Sequence, residues 1–342
     1  MSRNSAEKLG LEPMRLLDLD RVENTAGLLE EMSRTAFTGR ALGEALTVAE
    51  RMFRDEDCWV VLTLSGAMTM AGLRQLITLM IERKWVQCVV ATGALVGHGM
   101  VEELGMTHYK ARRDISDETY QEHGLNRVYD TIEPEENLDQ MELLLRERLS
   151  ALADEREEPL GTAELLDYLG RNLPGHGVLQ LAAEHGVPLI IPAFSDSELG
   201  LDFAVHRLIR REANKRPLAY DGMRDLEQFA RRCEDVFTSG RRLGIFTIGG
   251  GVPRNWAQQV GPYLDIRNKR MGQKPVDLRY TYGVRICPDP VHYGHLSGCT
   301  YSEGVSWGKF LSVKDGGQYA EVLLDATVAW PLLVQALRER GL

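Results

Sequence analysis

Four short, almost unbroken apolar runs constrain this chain most: Trp59–Leu64, Gln87–Thr92, Leu189–Ile191 and Leu243–Ile248. A strand with one wet face alternates apolar and polar side chains. These runs do not alternate, so both faces of each strand are expected to be covered, as in a parallel sheet between helices. Each run ends in turn residues: Ser65-Gly66, Gly93, Pro192 and Gly249. Helical patterns fall between or beside them, at Leu73 to Lys84, Met141 to Leu152, Val178 to Glu184, Leu226 to Val236 and Asp325 to Leu337. This alternation predicts a doubly wound α/β domain.

A chain of 342 residues suits one large α/β domain or two smaller ones. Residues 1–45 precede the first strand and are expected to form an arm or helices on the domain edge, with residues 46–342 as a single domain. The charge-rich stretches 110–138 and 153–162 read as solvated loops or helix faces. A net charge of −10 argues against nucleic acid as partner, because phosphate binding needs a basic surface. No apolar run reaches membrane-spanning length, and the polar start Met1–Gly10 lacks a signal-peptide core. Five scattered cysteines without zinc-type spacing read as reduced thiols. A cytoplasmic protein is the expectation.

In open α/β sheets, ligands bind beyond the carboxyl ends of the strands. Those ends here carry Ser65-Gly66-Ala67-Met68-Thr69, Thr92-Gly93-Ala94, Pro192 to Gly200 with Asp196, and Gly249-Gly250-Gly251-Val252-Pro253. None is the usual G-x-G-x-x-G fingerprint, and each alone fits a tight turn. Four together at successive strand ends favour a nucleotide cradle. His98, flanked by Gly97 and Gly99 at a strand end, is a functional candidate. His206 reads as a packing residue. His292 and His295 lie in a loop-like segment beside Pro288 and Pro290, and no metal is expected. One further segment, Val305-Ser306-Trp307-Gly308-Lys309, sets a lysine beside an aromatic residue and before a strand-like stretch, Phe310 to Val313. Desolvation favours the neutral amine, which can form an imine with a carbonyl compound. The plainer reading is a surface lysine at a strand start.

The triple glycine 249–251, the run Glu303-Gly304-Val305-Ser306-Trp307-Gly308-Lys309, and Asp325-Ala326 with Pro331 to Val334 together resemble deoxyhypusine synthase, a family that includes homospermidine synthases. The resemblance extends from about Leu19 to Leu337. It implies a Rossmann-like fold and an NAD-dependent aminobutyl transferase, typically a homotetramer with active sites between paired subunits. NAD would take a hydride from a polyamine, an aminobutyl fragment would be held as an imine on Lys309, and an acceptor amine would receive it. It also implies NAD contacts at Ser65, Gly66, Thr69, Thr92, Gly93, Ala94, Asp196, Gly249, Gly250, Gly251, Ser297, Asp325 and Ala326. Glu303 and Trp307 match substrate-site residues, and Asn255 stands where the family has a histidine. Family carboxylates that hold polyamine ammonium groups fall on Leu201 and Leu296, and a glutamate pair falls on Gly97-His98. A small-molecule amine acceptor is therefore the expected partner. The alternatives are modification of a lysine on translation initiation factor 5A and a catalytically silent NAD-binding scaffold.

Overall fold

The computed structural model describes residues 5–342. Among the described residues nine strands form in chain order: β1 (Cys58–Leu64), β2 (Cys88–Ala91), β3 (Tyr109–Lys110), β4 (Leu125–Val128), β5 (Thr131–Pro134), β6 (Leu189–Ile190), β7 (Arg242–Ile248), β8 (Tyr282–Ile286) and β9 (Gln318–Val322). Six of them make one parallel sheet in the order β6-β2-β1-β7-β8-β9. All seven residues of β1 are buried. Val60, Leu62 and Leu64 enter one apolar core, while Trp59 and Val61 enter a second core on the opposite face. A side chain buried in this way stabilises the fold by roughly 1.5–3 kcal/mol, and here both faces of the strand contribute. The doubly wound α/β architecture follows from that two-sided burial.

The order also fixes a switch point. From β1 the chain runs outward one way through β2 to β6, then restarts on the other side of β1 with β7, β8 and β9. Loops leaving β1 and β7 therefore diverge and leave a crevice at the carboxyl ends.

Three features depart from the sequence expectation. The edge region forms helices, one of the two expected alternatives, chief among them the amphipathic helix Phe37–Arg54, which buries Leu42, Ala45, Leu46, Ala49 and Met52 at helical spacing. The boundary expected at residue 46 falls inside that helix. The stretch 110–138, read as loop or helix face, instead contains a short helix, Asp117–Glu122, and most of a small antiparallel sheet in the order β3-β5-β4. The helix expected over Leu73 to Lys84 runs from Arg74 to Glu82, after a distorted turn over Thr69–Leu73 in which Gly72 has φ +77°. Phe310 makes one isolated bridge to Tyr280, and a short 3-10 turn follows at Val313–Asp315, so no full strand follows Lys309.

Candidate active site

The crevice at the switch point is a cavity of about 480 Å³. Ser65, Gly66, Thr92, Gly93, Asp196, Gly249, Gly250, Gly251, Ser297, Asp325 and Ala326 all line it. Three helices begin on its wall: Gly93–Glu103, Gly251–Gln258 and Ala326–Glu339. The first is capped by Thr92, whose hydroxyl accepts from the Leu95 amide, and the last by Asp325, which accepts from the Thr327 amide. Helix N-termini present free amides and positive dipole ends, which suit an anion such as a pyrophosphate. The loops are drawn close together: Ser65 Oγ donates to the Gly250 carbonyl and accepts from the Gly250 amide. Gly249 has φ +77°, and a Cβ on Gly250 would lie 2.4 Å from Ser297 Cα. Only glycines allow this chain path.

Two expected residues stand behind the wall rather than on it. Thr69 is fully buried, and its hydroxyl donates to the Leu95 carbonyl at 2.8 Å. Ala94 is the second residue of the helix that starts at Gly93 and is not on the lining.

A second cavity, of about 280 Å³, adjoins the first. Its walls include Asn255, Gln258, Leu296, Glu303, Trp307 and Lys309. The two cavities share their partition. Val252 and Pro253 of the helix Gly251–Gln258 face the first, and Asn255 and Gln258 face the second. Likewise Ser297 lines the first and its neighbour Leu296 the second.

Lys309 is 8 % exposed, and its Nζ donates to Asn255 Oδ1 at 3.2 Å. Its backbone is fixed on both sides, with its amide on the Gly304 carbonyl and its carbonyl receiving the Tyr280 amide, each at 3.0 Å. Burial pulls the amine below the ordinary lysine value. Cys299 and Glu303 oppose that shift, and the Arg254 guanidinium adds to it. Arg254 is itself 1 % exposed, with Nε and Nη2 unpartnered and its guanidinium 5.4 Å from the Tyr301 ring centre. Glu303 and Trp307 are exposed at the mouth, which also carries Val291 and Leu296. A desolvated amine, an amide acceptor, a carboxylate and an indole side by side suit imine chemistry on an amine-bearing substrate.

With that geometry in view, the comparisons with known proteins are decisive. The family model for deoxyhypusine synthase matches residues 27–337. The chain belongs to the deoxyhypusine synthase family. Among members, "Probable deoxyhypusine synthase 2" of Methanosarcina mazei is 33 % identical over 92 % of this chain and 86 % of its own. A "Deoxyhypusine synthase-like protein" of Chlorobaculum parvum is 31 % identical over 97 % of this chain and 92 % of its own. In fold, the chain is similar to a solved candidate deoxyhypusine synthase from Entamoeba histolytica, with TM-score 0.59 and 17 % identity over 94 % and 96 % of the two chains. The ternary complex of AgrE with ornithine and NAD+ gives TM-score 0.50 and 13 % identity, over 89 % of this chain and 34 % of that one. Membership of the deoxyhypusine synthase family makes the chain a transferase.

Other expected residues lie elsewhere. His98 lines neither cavity. It is five residues past Gly93, so the helix carries it about 140° round from the side that lines the first cavity. There it meets His108 and Glu133 beside the small sheet. Leu201 is 53 % exposed on the helix Glu198–Glu212, away from both cavities, and Asp202 beside it lines neither. His206 is buried against Ser150 Oγ at 3.1 Å, and His295 stands on the wall of the second cavity. Sequence reading missed Gln258, Cys299 and Asp289. Gln258 could have been found from its place one turn after Asn255. Asp289, between two prolines, accepts from the Ser297 hydroxyl and has no local signal that reveals it.

Proposed function

We propose that this chain is an NAD-dependent aminobutyl transferase that works through an imine on Lys309 and delivers the fragment to a small-molecule amine. The observation that carries this reading is the burial of Lys309 beside Asn255, one helix away from a cradle of three helix N-termini. The cradle fits a dinucleotide: Gly250 admits the backbone only without a Cβ, and Asp196 and Asp325 offer carboxylates for ribose hydroxyls. The AgrE complex, similar in fold, is one with NAD+. NAD held there would supply hydride removal and return; the oxidised donor carbon would pass to Lys309 as an imine with release of the donor's remaining amine, and the acceptor amine would then displace Lys309.

The chain's own residues supply the rest. Desolvation keeps a fraction of Lys309 neutral, and the neutral amine is the nucleophile. Asn255 Oδ1 aims Nζ. Trp307 can cover a polymethylene chain and Glu303 can pair with an ammonium. Leu296 offers no charge where the family holds an ammonium, so a singly anchored amine suits this cavity better than spermidine in its usual pose. Subunit pairing into a homotetramer is supported by the exposed Leu201, Val205 and Leu208 on one helix and by the open mouth at Trp307. A cytoplasmic location fits the five free cysteines. No helix among the described residues is long and apolar enough to cross a membrane.

A second reading, transfer to a protein lysine as on translation initiation factor 5A, draws on that same mouth, where Trp307 is 66 % exposed. The test is incubation with NAD, spermidine and putrescine, followed by mass spectrometry for homospermidine and by borohydride trapping on Lys309. Homospermidine with a Lys309 adduct supports the small-molecule reading. An adduct with transfer only to the protein factor favours the second. NAD binding without an adduct under any amine overturns both.

A further inference from the structure

We propose that His98, His108 and Glu133 form a binding site for a divalent transition-metal ion, with zinc as the best match. The three come from separate elements: His98 from the helix Gly93–Glu103, His108 from the segment after it, and Glu133 from β5 of the small sheet. Their donor atoms all lie within 4.8 Å of one another. Glu133 Oε2 is 2.5 Å from His98 Nδ1 and 3.1 Å from His108 Nε2. Donors on one tetrahedral zinc, at roughly 2.0–2.2 Å from the metal, stand about 3.3 Å apart. Changes in these spacings of a few tenths of an ångström to about 1.5 Å bring this trio to that geometry.

The chemistry of the set matches as well. Two imidazoles and one carboxylate are a common zinc donor set, and three protein donors leave a fourth position for water. A ligating histidine normally donates its other ring nitrogen to a carboxylate, which fixes the tautomer. His108 has that arrangement, with Nδ1 3.3 Å from Glu102 Oε1, and Arg74 lies 3.8 Å from Glu102 Oε2. Asn137 Nδ2 donates to Glu133 Oε1 at 3.5 Å and steadies the carboxylate. Glu133 is 1 % exposed and the His108 side chain 6 %, while His98 keeps 17 % of its side chain open as an entry path. A buried carboxylate needs cationic partners, and a metal supplies them more completely than hydrogen bonds from two imidazoles. It would also tie the small sheet to the helix whose first residues wall the dinucleotide cradle.

The test is titration of untagged protein with zinc chloride, read by calorimetry and by metal content after desalting. One saturable site per chain is expected. His98→Ala and Glu133→Gln should abolish it, Glu102→Gln should weaken it about 10- to 100-fold, and the surface control His123→Asn should leave it unchanged. Should the ligand variants fail to fold, the wild-type chain still decides. Zinc is expected to protect the partly open His98, but not His123, from diethyl pyrocarbonate, as read by peptide mass spectrometry. No saturable binding, binding unchanged by His98→Ala and Glu133→Gln, or no protection of His98 overturns the proposal.

Discussion

The two adjoining cavities are built by opposite means. The first, the proposed dinucleotide cradle, is made of backbone: glycine turns, helix N-termini and caps at the ends of a rigid sheet. The second, the proposed amine cavity, is made of side chains on a helix and a surface loop, and its mouth is open. A backbone-built site tolerates drift in side chains but not a single Cβ at a crowded turn. A side-chain site is retuned by one substitution without harm to the fold.

The largest effect should come from Lys309→Arg. It keeps charge and packing but removes the titratable amine, so borohydride-trapped adduct should fall to background while NAD affinity changes little. Loss of NAD binding would break the division between the two cavities. Next is Gly250→Ala. Its Cβ would lie 2.4 Å from Ser297 Cα, which should lower stability by about 1–3 kcal/mol and abolish measurable NAD binding by fluorescence titration. Unchanged NAD affinity would show that the glycine turns are not the cradle.

Asn255→Asp sharpens the comparison on the other side. Burial already lowers the Lys309 amine, so trapping by a model aldehyde should reach half-maximum at a lower pH than for free lysine. A carboxylate at 255 favours the ammonium, so the variant profile should move to higher pH, with NAD affinity unaltered. The smallest effect on either cavity is expected at Glu103, at the far end of the helix that begins at Gly93. Burial raises its carboxyl from an ordinary 4.5 to about 7, against a hydrogen bond from the Val178 amide. The folded value lies above the unfolded one, so this group's stabilisation is full below about pH 4.5 and is lost as pH rises through 7. Glu103→Gln should flatten that part of the stability curve in denaturant titrations, with both cavities intact.

Legibility followed the same division. The strands that frame the cradle were readable because two-sided burial leaves continuous runs such as Trp59–Leu64. The burial of Lys309 agrees with a reading prompted by its neighbours Trp307 and Gly308, while its proposed role draws on family resemblance. The small sheet was not, because Leu125–Val128 is short and largely exposed, so neither alternation nor a continuous apolar run marks it. Helices before the first strand were one of two expected alternatives and do form, but the helix Phe37–Arg54 runs past the boundary expected at residue 46. His98 was picked out for its glycine neighbours, but its companions lie 10 and 35 residues downstream. Only the turn of a helix and the docking of a second sheet bring them together.

The helix Gly251–Gln258 walls both cavities, and that makes it a thermodynamic lever. Any shift of its axis that tightens one cavity changes the other. Where the proposed dinucleotide alters amine affinity through this helix, the amine must alter dinucleotide affinity by the same factor. Measured together, the two binding constants give that coupling between the cavities.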